Sequence, residues 1–319
     1  MSAYVTEDLR HTCGHEFIGE IVDLGDNFGK SNPGRPALYS SLKVGDRVVS
    51  PFTVNCGECQ YVVYTFSLGF SALSSVCRLG YTARCPQGAL FGSPILEGGQ
   101  AQYVRVPKAG GTLFNLSDPS TWSTSLPIEV RQTALSKIAD SSLLVLADIL
   151  PTGVFAATQL MNHPKLAPIL SGKPWPLCFT PDADAGNEVG LLAEDRVLNL
   201  AIIGLGPVGI CTLVSILDIL ATRTIAYRIV AIDPLESRRQ KALDVYAAID
   251  ESGKGAGELV ALGIDEAKIK MKEWTDGAGA TAVFEVSTLI LLSTLLNPFR
   301  LLETQVRFPS HMSLFSHSV

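Results

Sequence analysis

The densest group of metal-binding side chains in the sequence is a set of four cysteines. They are four of the chain's seven cysteines and fall within thirty residues: Cys56, Cys59, Cys77 and Cys85. Zinc prefers four nitrogen or sulfur ligands in a tetrahedron, so this spacing predicts a closed structural zinc site.

Disulfide bonds are the alternative pairing for these cysteines, and they form mainly in oxidising compartments. The stretch from Met1 to Asp8 has neither the basic region nor the apolar region of a secretory signal. We therefore expect a reducing, cytoplasmic setting in which the thiols bind zinc.

A second chemical feature is a glycine turn between two apolar runs. Gly204, Gly206 and Gly209 fit the pattern G-x-G-x-x-G, with Pro207 and Val208 before the last glycine. In this pattern the glycines allow a tight turn, close approach to a pyrophosphate and close helix packing on a strand. The turn predicts a nucleotide site whose phosphates lie at a helix N-terminus.

An acidic residue, Asp233, ends the next β-branched run, 24 positions after Gly209. A carboxylate there can accept both ribose hydroxyls of an adenosine and would repel a 2′-phosphate, which favours NAD over NADP. Arg238 and Arg239 could instead reach a 2′-phosphate. As charges at the start of a helix they are more often only solvated.

A histidine beside an acid, His15 and Glu16, precedes an alternating apolar strand and could belong to a metal site. Other stretches predict secondary structure: residues 96–107 a barrel strand, 128–146 and 237–248 helices, and 281–286 a parallel strand.

Composition excludes several classes of partner. The 319 residues include 25 basic and 31 acidic ones, and the net charge of −6 provides no electrostatic footprint for nucleic acid or an anionic membrane. The cysteine region has only Arg78 and Arg84 as basic residues, which argues against a nucleic-acid finger. The uncharged stretches 60–77, 200–217 and 286–299 are too polar, too broken by glycine and proline, or too short to predict membrane spans.

Five motifs occur in an order that resembles the zinc-containing alcohol dehydrogenases of the medium-chain dehydrogenase/reductase superfamily, over residues 11–286. They are Gly14-His15-Glu16, Val44-Gly45-Asp46-Arg47-Val48, the four cysteines, Gly98-Gly99-Gln100-Ala101-Gln102-Tyr103 and the glycine turn. The stretch Ala147-Asp148-Ile149-Leu150-Pro151-Thr152-Gly153 is similar to the glutathione-independent formaldehyde dehydrogenase branch.

The resemblance implies an α/β protein with two domains. Residues 1–150 would form a truncated, β-rich GroES-like catalytic domain. Residues 151–287 would form a linker and an incomplete Rossmann domain, a doubly wound parallel sheet that binds NAD. Residues 288–319 match no family motif and are expected to be a divergent tail.

The resemblance also implies a catalytic zinc. His15 and Asp148 match two of its ligands, Glu16 lies at or behind the metal, and Thr152 is placed to contact the nicotinamide or the substrate. The family's first ligand belongs to an upstream Cys-Gly-x-Asp motif that residues 1–10 lack, and we do not expect Cys13 to replace it.

The cysteine motif departs from the family spacing C-x2-C-x2-C-x7-C. Cys59 and Cys77 enclose seventeen residues, so residues 62–76 read as an uncharged insertion of fifteen. A gene-model error is the favoured interpretation, because a long structureless loop is uncommon. A genuine apolar hairpin that offers a partner surface is the alternative.

The expected function is that of a zinc-dependent oxidoreductase that transfers a hydride between an alcohol or aldehyde and NAD. An inert NAD- or zinc-binding remnant of the family is the alternative. A small molecule is the only expected partner, with no nucleic acid or membrane. A dimer is doubtful, because family dimers pair edge strands of the cofactor sheet that this sequence lacks.

Overall fold

The computed structural model describes residues 11–59, 61–64, 71–74, 76–122, 124–172, 192–249, 254–287 and 305–307. The chain divides into two compact units, Met1–Asp148 and Ile149–Val319.

The first unit contains a small antiparallel sheet in the order β1, β2, β5. These strands are β1 (Phe17–Glu20), β2 (Arg47–Ser50) and β5 (Phe114–Asn115). Phe17 lies opposite Ser50, and Glu20 lies opposite Arg47. The turn that leads into β2 contains Gly45 with φ 90°. Only glycine adopts this left-handed conformation freely.

The remaining elements of this unit are short and are joined by loops. Its helices are α1 (Leu38–Ser41), α2 (Ala109–Thr112), α3 (Ile128–Lys137) and α4 (Asp140–Leu143). Single 3₁₀ turns cover Thr82–Arg84, Pro119–Thr121 and Leu144–Leu146. The helix expected over 128–146 is therefore broken at residues 138–139 rather than continuous.

The predicted insertion contains a β-hairpin. Strands β3 (Tyr61–Tyr64) and β4 (Ser71–Ser74) pair antiparallel, with Tyr61 opposite Ser74 and Tyr64 opposite Ser71. The backbone thus forms a hairpin, as the alternative interpretation expected. The hypothesis of a gene-model error concerns the origin of these residues and stays a prediction.

The second unit is built on a parallel sheet of five strands in the order β10, β9, β6, β7, β8. They are β6 (Leu198–Ile203), β7 (Tyr227–Ile232), β8 (Gly257–Leu262), β9 (Ala282–Glu285) and β10 (Gln305–Arg307). Its helices are α5 (Ile149–Met161), α6 (Ala167–Ser171), α7 (Pro207–Thr222), α8 (Glu236–Ala248) and α9 (Ile264–Trp274), and 3₁₀ turns cover Pro164–Leu166 and Glu194–Arg196.

Side chains alternate between the two faces of this sheet, and helices cover both. Leu200 and Ile202 of β6 face a core shared with α5, α7 and α8, whereas Ala201 and Ile203 face a core shared with α9. Both faces of a parallel sheet must be buried, which explains the nearly continuous apolar sequence of its strands. The expected doubly wound parallel sheet is confirmed.

A further expectation about secondary structure is wrong. Residues 96–107 form no strand, although their polarity alternates, because the amides of Gly98, Gly99 and Gln100 donate to carbonyls of a neighbouring loop. Within the segment 288–319, Gln305–Arg307 pairs in parallel with β9, and the description of this segment as a divergent tail stays a prediction. That pairing satisfies backbone groups that β9 would otherwise expose at an edge.

Within the described ranges, no single helix is long and apolar enough to cross a membrane. Only a bent pair, Asp140–Leu146 with Ile149–Met161, reaches that length and composition together.

Candidate functional site

The four predicted cysteine ligands come together in the first unit. Their sulfur atoms all lie within 4.8 Å of one another, and Cys56, Cys77 and Cys85 are buried. The Sγ of Cys56 is 3.7 Å from that of Cys85 and 4.0 Å from that of Cys77, and the sulfurs of Cys59 and Cys77 are 3.3 Å apart. Zn–S bonds of about 2.3 Å place tetrahedral sulfurs about 3.8 Å apart, so the cluster fits one zinc ion.

A tight turn brings Cys56 and Cys59 to the same point. Gly57 between them has φ 71°, and a Cβ there would lie 2.4 Å from Cγ of Pro36. The amide of Cys59 donates to the Cys56 sulfur at 3.2 Å. This hydrogen bond holds the sulfur of Cys56 in place within the turn.

An arginine outside the motif braces the same turn. Nε of Arg35 lies 3.5 Å from a carboxylate oxygen of Glu58, and its guanidinium carbon lies 3.9 Å from the centre of the Tyr39 ring. Sequence reasoning did not find Arg35, because nothing in its local sequence links it to a turn more than twenty residues away.

Without a bound cation, the environment of the cluster disfavours a negative charge on the sulfur of Cys77. Burial, followed by the thiols of Cys59 and Cys85, raises the pKa of Cys77 to about 12. Without a metal, Cys77 is therefore protonated at neutral pH. A zinc ion would compensate the negative charge and release the proton, as metal binding by thiols requires.

His15 and Asp148 also meet within the first unit. Nε2 of His15 lies 3.5 Å from a carboxylate oxygen of Asp148. Two ligands at about 2.1 Å from a tetrahedral zinc would be about 3.4 Å apart, so this pair fits a shared metal ion. Among the described residues, only the cysteine cluster brings three or more metal-binding groups together, so the pair by itself is an open ligand set.

The surroundings of this pair are asymmetric. The side chain of His15 is 48% exposed and that of Asp148 is 15% exposed, so solvent reaches the pair from the histidine side. Glu16 has a buried carboxylate oxygen, Oε1, that has no hydrogen-bond partner among the described residues. A buried oxygen without a partner is costly unless a cation or a proton donor satisfies it, which fits the expected place of Glu16 at or behind a metal.

The glycine turn of the second unit assigns a different task to each glycine. Gly204 has φ 94° and makes the turn after β6. A Cβ on Gly209 would lie 1.9 Å from the carbonyl oxygen of Gly204, so this glycine permits close packing of α7 on the strand. A Cβ on Gly206 would meet nothing within 4 Å, which leaves space for a ligand at the N-terminus of α7.

Pro207 occupies the first position of α7, where its missing N–H costs nothing, and Val208 follows it in the first turn. The backbone amides of this first turn would donate hydrogen bonds to a phosphate. The geometry of the turn therefore fits a dinucleotide.

Asp233 lies at the carboxyl end of β7 and is only 1% exposed. Its carboxylate accepts hydrogen bonds from the amides of Leu205 and Leu235, each at 2.9 Å, and lies 3.4 Å from a guanidinium nitrogen of Arg238. Asp233 thus also fastens the glycine turn to the next strand. Its expected contact with the ribose stays a prediction.

Neither arginine at the start of α8 is simply a solvated charge, which corrects that expectation. Arg238 pairs with Asp233, and Arg239 donates to the backbone carbonyls of Asp233 and Pro234 at 2.8 and 2.9 Å. The reason is the carboxyl end of β7, which places a buried carboxylate and two backbone carbonyls beside the helix start.

Thr152 lies in the first turn of α5 and is half-buried. It belongs to the second unit, whereas His15 and Asp148 belong to the first. Its expected contact with nicotinamide or substrate stays a prediction.

Comparison with known proteins identifies the family. The family model "Alcohol dehydrogenase GroES-like domain" matches residues 2–118. The medium chain reductase/dehydrogenase ucsI of an Acremonium species is 31% identical over 286 residues, which are 88% of this chain and 68% of that protein. The chain belongs to the medium-chain dehydrogenase/reductase family.

Two further relatives are named as dehydrogenases. Zinc-type alcohol dehydrogenase B of Aspergillus flavus is 29% identical over 276 residues, which are 86% of this chain and 44% of that protein. The glutathione-independent formaldehyde dehydrogenase of Pseudomonas aeruginosa is 30% identical over 200 residues, which are 61% of this chain and 38% of that protein. The chain thus spans less than half of each of these two relatives.

These matches confirm the expected family of the chain. They also confirm the expected two-part fold with a GroES-like domain. They support the class of zinc-dependent oxidoreductase and do not favour the inert alternative. One of these relatives is named as a zinc-type enzyme, and the cysteine cluster of this chain has a geometry that can bind a metal.

Proposed function

We propose that this chain is a zinc-dependent oxidoreductase that transfers a hydride between an alcohol or aldehyde and NAD. The observation that carries the proposal is the His15–Asp148 pair, whose ligand atoms are separated by 3.5 Å as in a shared tetrahedral site. The family of the chain supports the reaction class, and the glycine turn supports the cofactor.

Zinc, when bound, supplies a Lewis acid that lowers the pKa of an alcohol or polarises the carbonyl of an aldehyde. His15 would bind it through Nε2 as a neutral imidazole, and Asp148 would contribute a negative charge. The exposed side of His15 leaves an approach for a small substrate. Glu16 would accept a hydrogen bond or coordinate transiently through Oε1 while water and substrate exchange.

The reaction is balanced by two transfers from the alcohol. The carbinol carbon gives a hydride to the nicotinamide and the hydroxyl gives a proton to solvent, so alcohol and NAD⁺ yield aldehyde and NADH. The glycine turn would hold the pyrophosphate on the amides of the first turn of α7, and Gly206 would allow its close approach. We assign Thr152 to a contact with nicotinamide or substrate.

A cytoplasmic location is part of the proposal. Cys56, Cys59, Cys77 and Cys85 carry thiols rather than disulfides, and a zinc site requires them reduced. A small-molecule alcohol or aldehyde is the proposed partner, and we propose no stable dimer.

The decisive experiment compares the wild-type chain with the His15→Ala variant. We expect two zinc ions per wild-type chain by elemental analysis, and NADH formation with at least one member of a panel of primary alcohols. The variant should retain one zinc and lose at least about 100-fold in kcat/KM, because a Lewis acid supplies several kcal/mol to this class of reaction.

The matched control is His163→Ala, since His163 accepts a hydrogen bond from the amide of Lys165 in the other unit and has no place in the proposed site. It should retain both zinc ions and its rate. One zinc or none in the wild type, together with no NADH from any alcohol, would establish the inert alternative instead.

A further inference from the structure

The loop that carries His15 is fastened to a segment more than eighty residues later in the chain. The amides of Gly98, Gly99 and Gln100 donate to the carbonyls of Thr12, Gly14 and Cys13, at 2.7, 2.8 and 3.0 Å respectively. These three bonds hold the backbone on the N-terminal side of His15. We call residues 97–100 the clamp segment.

A fourth bond runs in the opposite direction. The amide of Thr12 donates to the carboxylate of Glu97. This is the only side-chain acceptor that the described structure provides for the loop backbone between Thr12 and Gly14. The same bond is the first cause of the lowered pKa of Glu97. Because the acceptor is ionised, it is stronger than a bond between neutral groups.

The contact leaves no space for side chains at its centre. A Cβ on Gly98 would lie 2.3 Å from the carbonyl oxygen of Cys13, and a Cβ on Gly14 would lie 2.8 Å from Cγ of Gln100. Gly14 also has φ 95°, which other residues rarely adopt. The two backbones therefore touch directly, and a shift of the clamp segment would be passed on to the loop.

We propose that Glu97 is a positioning residue for His15: by holding the amide of Thr12 it fixes the loop in the conformation that brings the imidazole of His15 to Asp148. Glu97 does not touch the metal or the substrate in this proposal. It acts three residues away, through a backbone that has one side-chain anchor and three backbone anchors. The inference rests on the proposed zinc site.

Three variants test the inference: Glu97→Ala removes the acceptor, Glu97→Gln keeps a neutral acceptor oxygen, and Glu20→Ala removes an exposed carboxylate from β1. The readout is the affinity of the full chain for the second equivalent of Zn²⁺, measured by competition with a chelator. The first equivalent, which the cysteine cluster takes, is an internal control. Hydrogen exchange at the amides of Thr12 and Gln100 in metal-free protein is the second readout.

For Glu97→Ala we expect the second zinc to bind about 10-fold more weakly, the lower end of the range for groups that orient a ligand. Amide exchange at Thr12 and Gln100 should accelerate. Glu97→Gln should recover most of the loss, within about 3-fold of wild type, because a neutral oxygen accepts a weaker bond. Glu20→Ala and the first equivalent should be unchanged.

An unchanged second affinity in Glu97→Ala overturns the inference and leaves the proposed function standing. The same holds if amide exchange accelerates but zinc affinity does not, since the bond is then structural only. If the wild type itself binds no second zinc, the proposed function fails and this inference with it.

Discussion

The two predicted metal sites of the first unit differ in how completely the chain encloses them. The cysteine cluster assembles four ligands, three of them buried, around a turn with its own N–H···S hydrogen bond. The His15–Asp148 pair has two ligands, and one of these is half-exposed.

A closed ligand set has no room for a substrate, whereas an open one requires other groups to complete it and can exchange them. This is the physical distinction between a structural and a catalytic zinc site. The comparison predicts that damage to the cluster costs mainly stability, and that damage to the pair costs mainly activity.

The largest effect is expected for Cys56→Ser in the cluster. Cys56 is fully buried, and its sulfur accepts from the amide of Cys59. Zinc binding to such a site is part of the folding free energy, so its loss should lower the Tm by about 10 °C. Zinc content and thermal unfolding measure this result.

The matched control for this variant is Cys13→Ser, which changes an exposed thiol outside the cluster. It should keep both the zinc and the Tm. If Cys56→Ser loses zinc at an unchanged Tm, the closed site is not structural and the comparison fails.

The glycine turn repeats the contrast on a smaller scale, since one of its glycines faces protein and another faces open space. Gly209→Ala would force a Cβ against the Gly204 carbonyl and should destabilise the second unit by about 1–3 kcal/mol. The Cβ added by Gly206→Ala would meet no atom within 4 Å, so the free energy of unfolding should stay within about 1 kcal/mol of wild type. The affinity for NAD should fall by at least about 10-fold. Urea unfolding and titration with NAD measure the two effects.

The two glycine variants control for each other, because each adds the same methyl group. Equal loss of stability in both would contradict the division of roles within the turn. An unchanged affinity for NAD in Gly206→Ala would remove the turn from the proposed nucleotide site.

Local sequence was sufficient for features whose cause is local. The apolar runs predicted strands, and the spacing of Gly204, Gly206 and Gly209 predicted a strand, turn and helix. The doubly wound sheet followed from the family resemblance. The two cysteine pairs predicted one cluster, although seventeen residues separate Cys59 from Cys77.

Features set by distant contacts were missed for a physical reason. The alternation in residues 96–107 predicted a strand, but the amides of Gly98 and Gly99 find their acceptors in the loop before His15. Arg35 and Glu97 act on partners far along the chain, and no period or motif links them. Asp233 was placed correctly after its strand, while its bond to Leu205 follows only from the packing of the turn.

The smallest expected effect is a dependence of stability on pH that distinguishes the empty cluster from the filled one. In the metal-free chain, burial and the neighbouring thiols raise the pKa of Cys77 from 9.0 to about 12. Below about pH 9 this thiol is protonated in both the folded and the unfolded chain, so its contribution is fully present. Between that pH and about 12, the unfolded thiol ionises first, and the free energy of unfolding should fall as pH rises.

The slope should be at most about 1.4 kcal/mol per pH unit, the value for one proton. In the zinc-loaded chain the thiol is already ionised on the metal, so this component should vanish. Burial also raises the pKa of Tyr227, but that residue lies in the other unit and affects both forms equally. Urea unfolding of both forms from about pH 8 to 10.5 measures the difference. If the free energy of unfolding has the same pH dependence in both forms, the four sulfurs do not share a metal. The cluster would then not be a closed metal site.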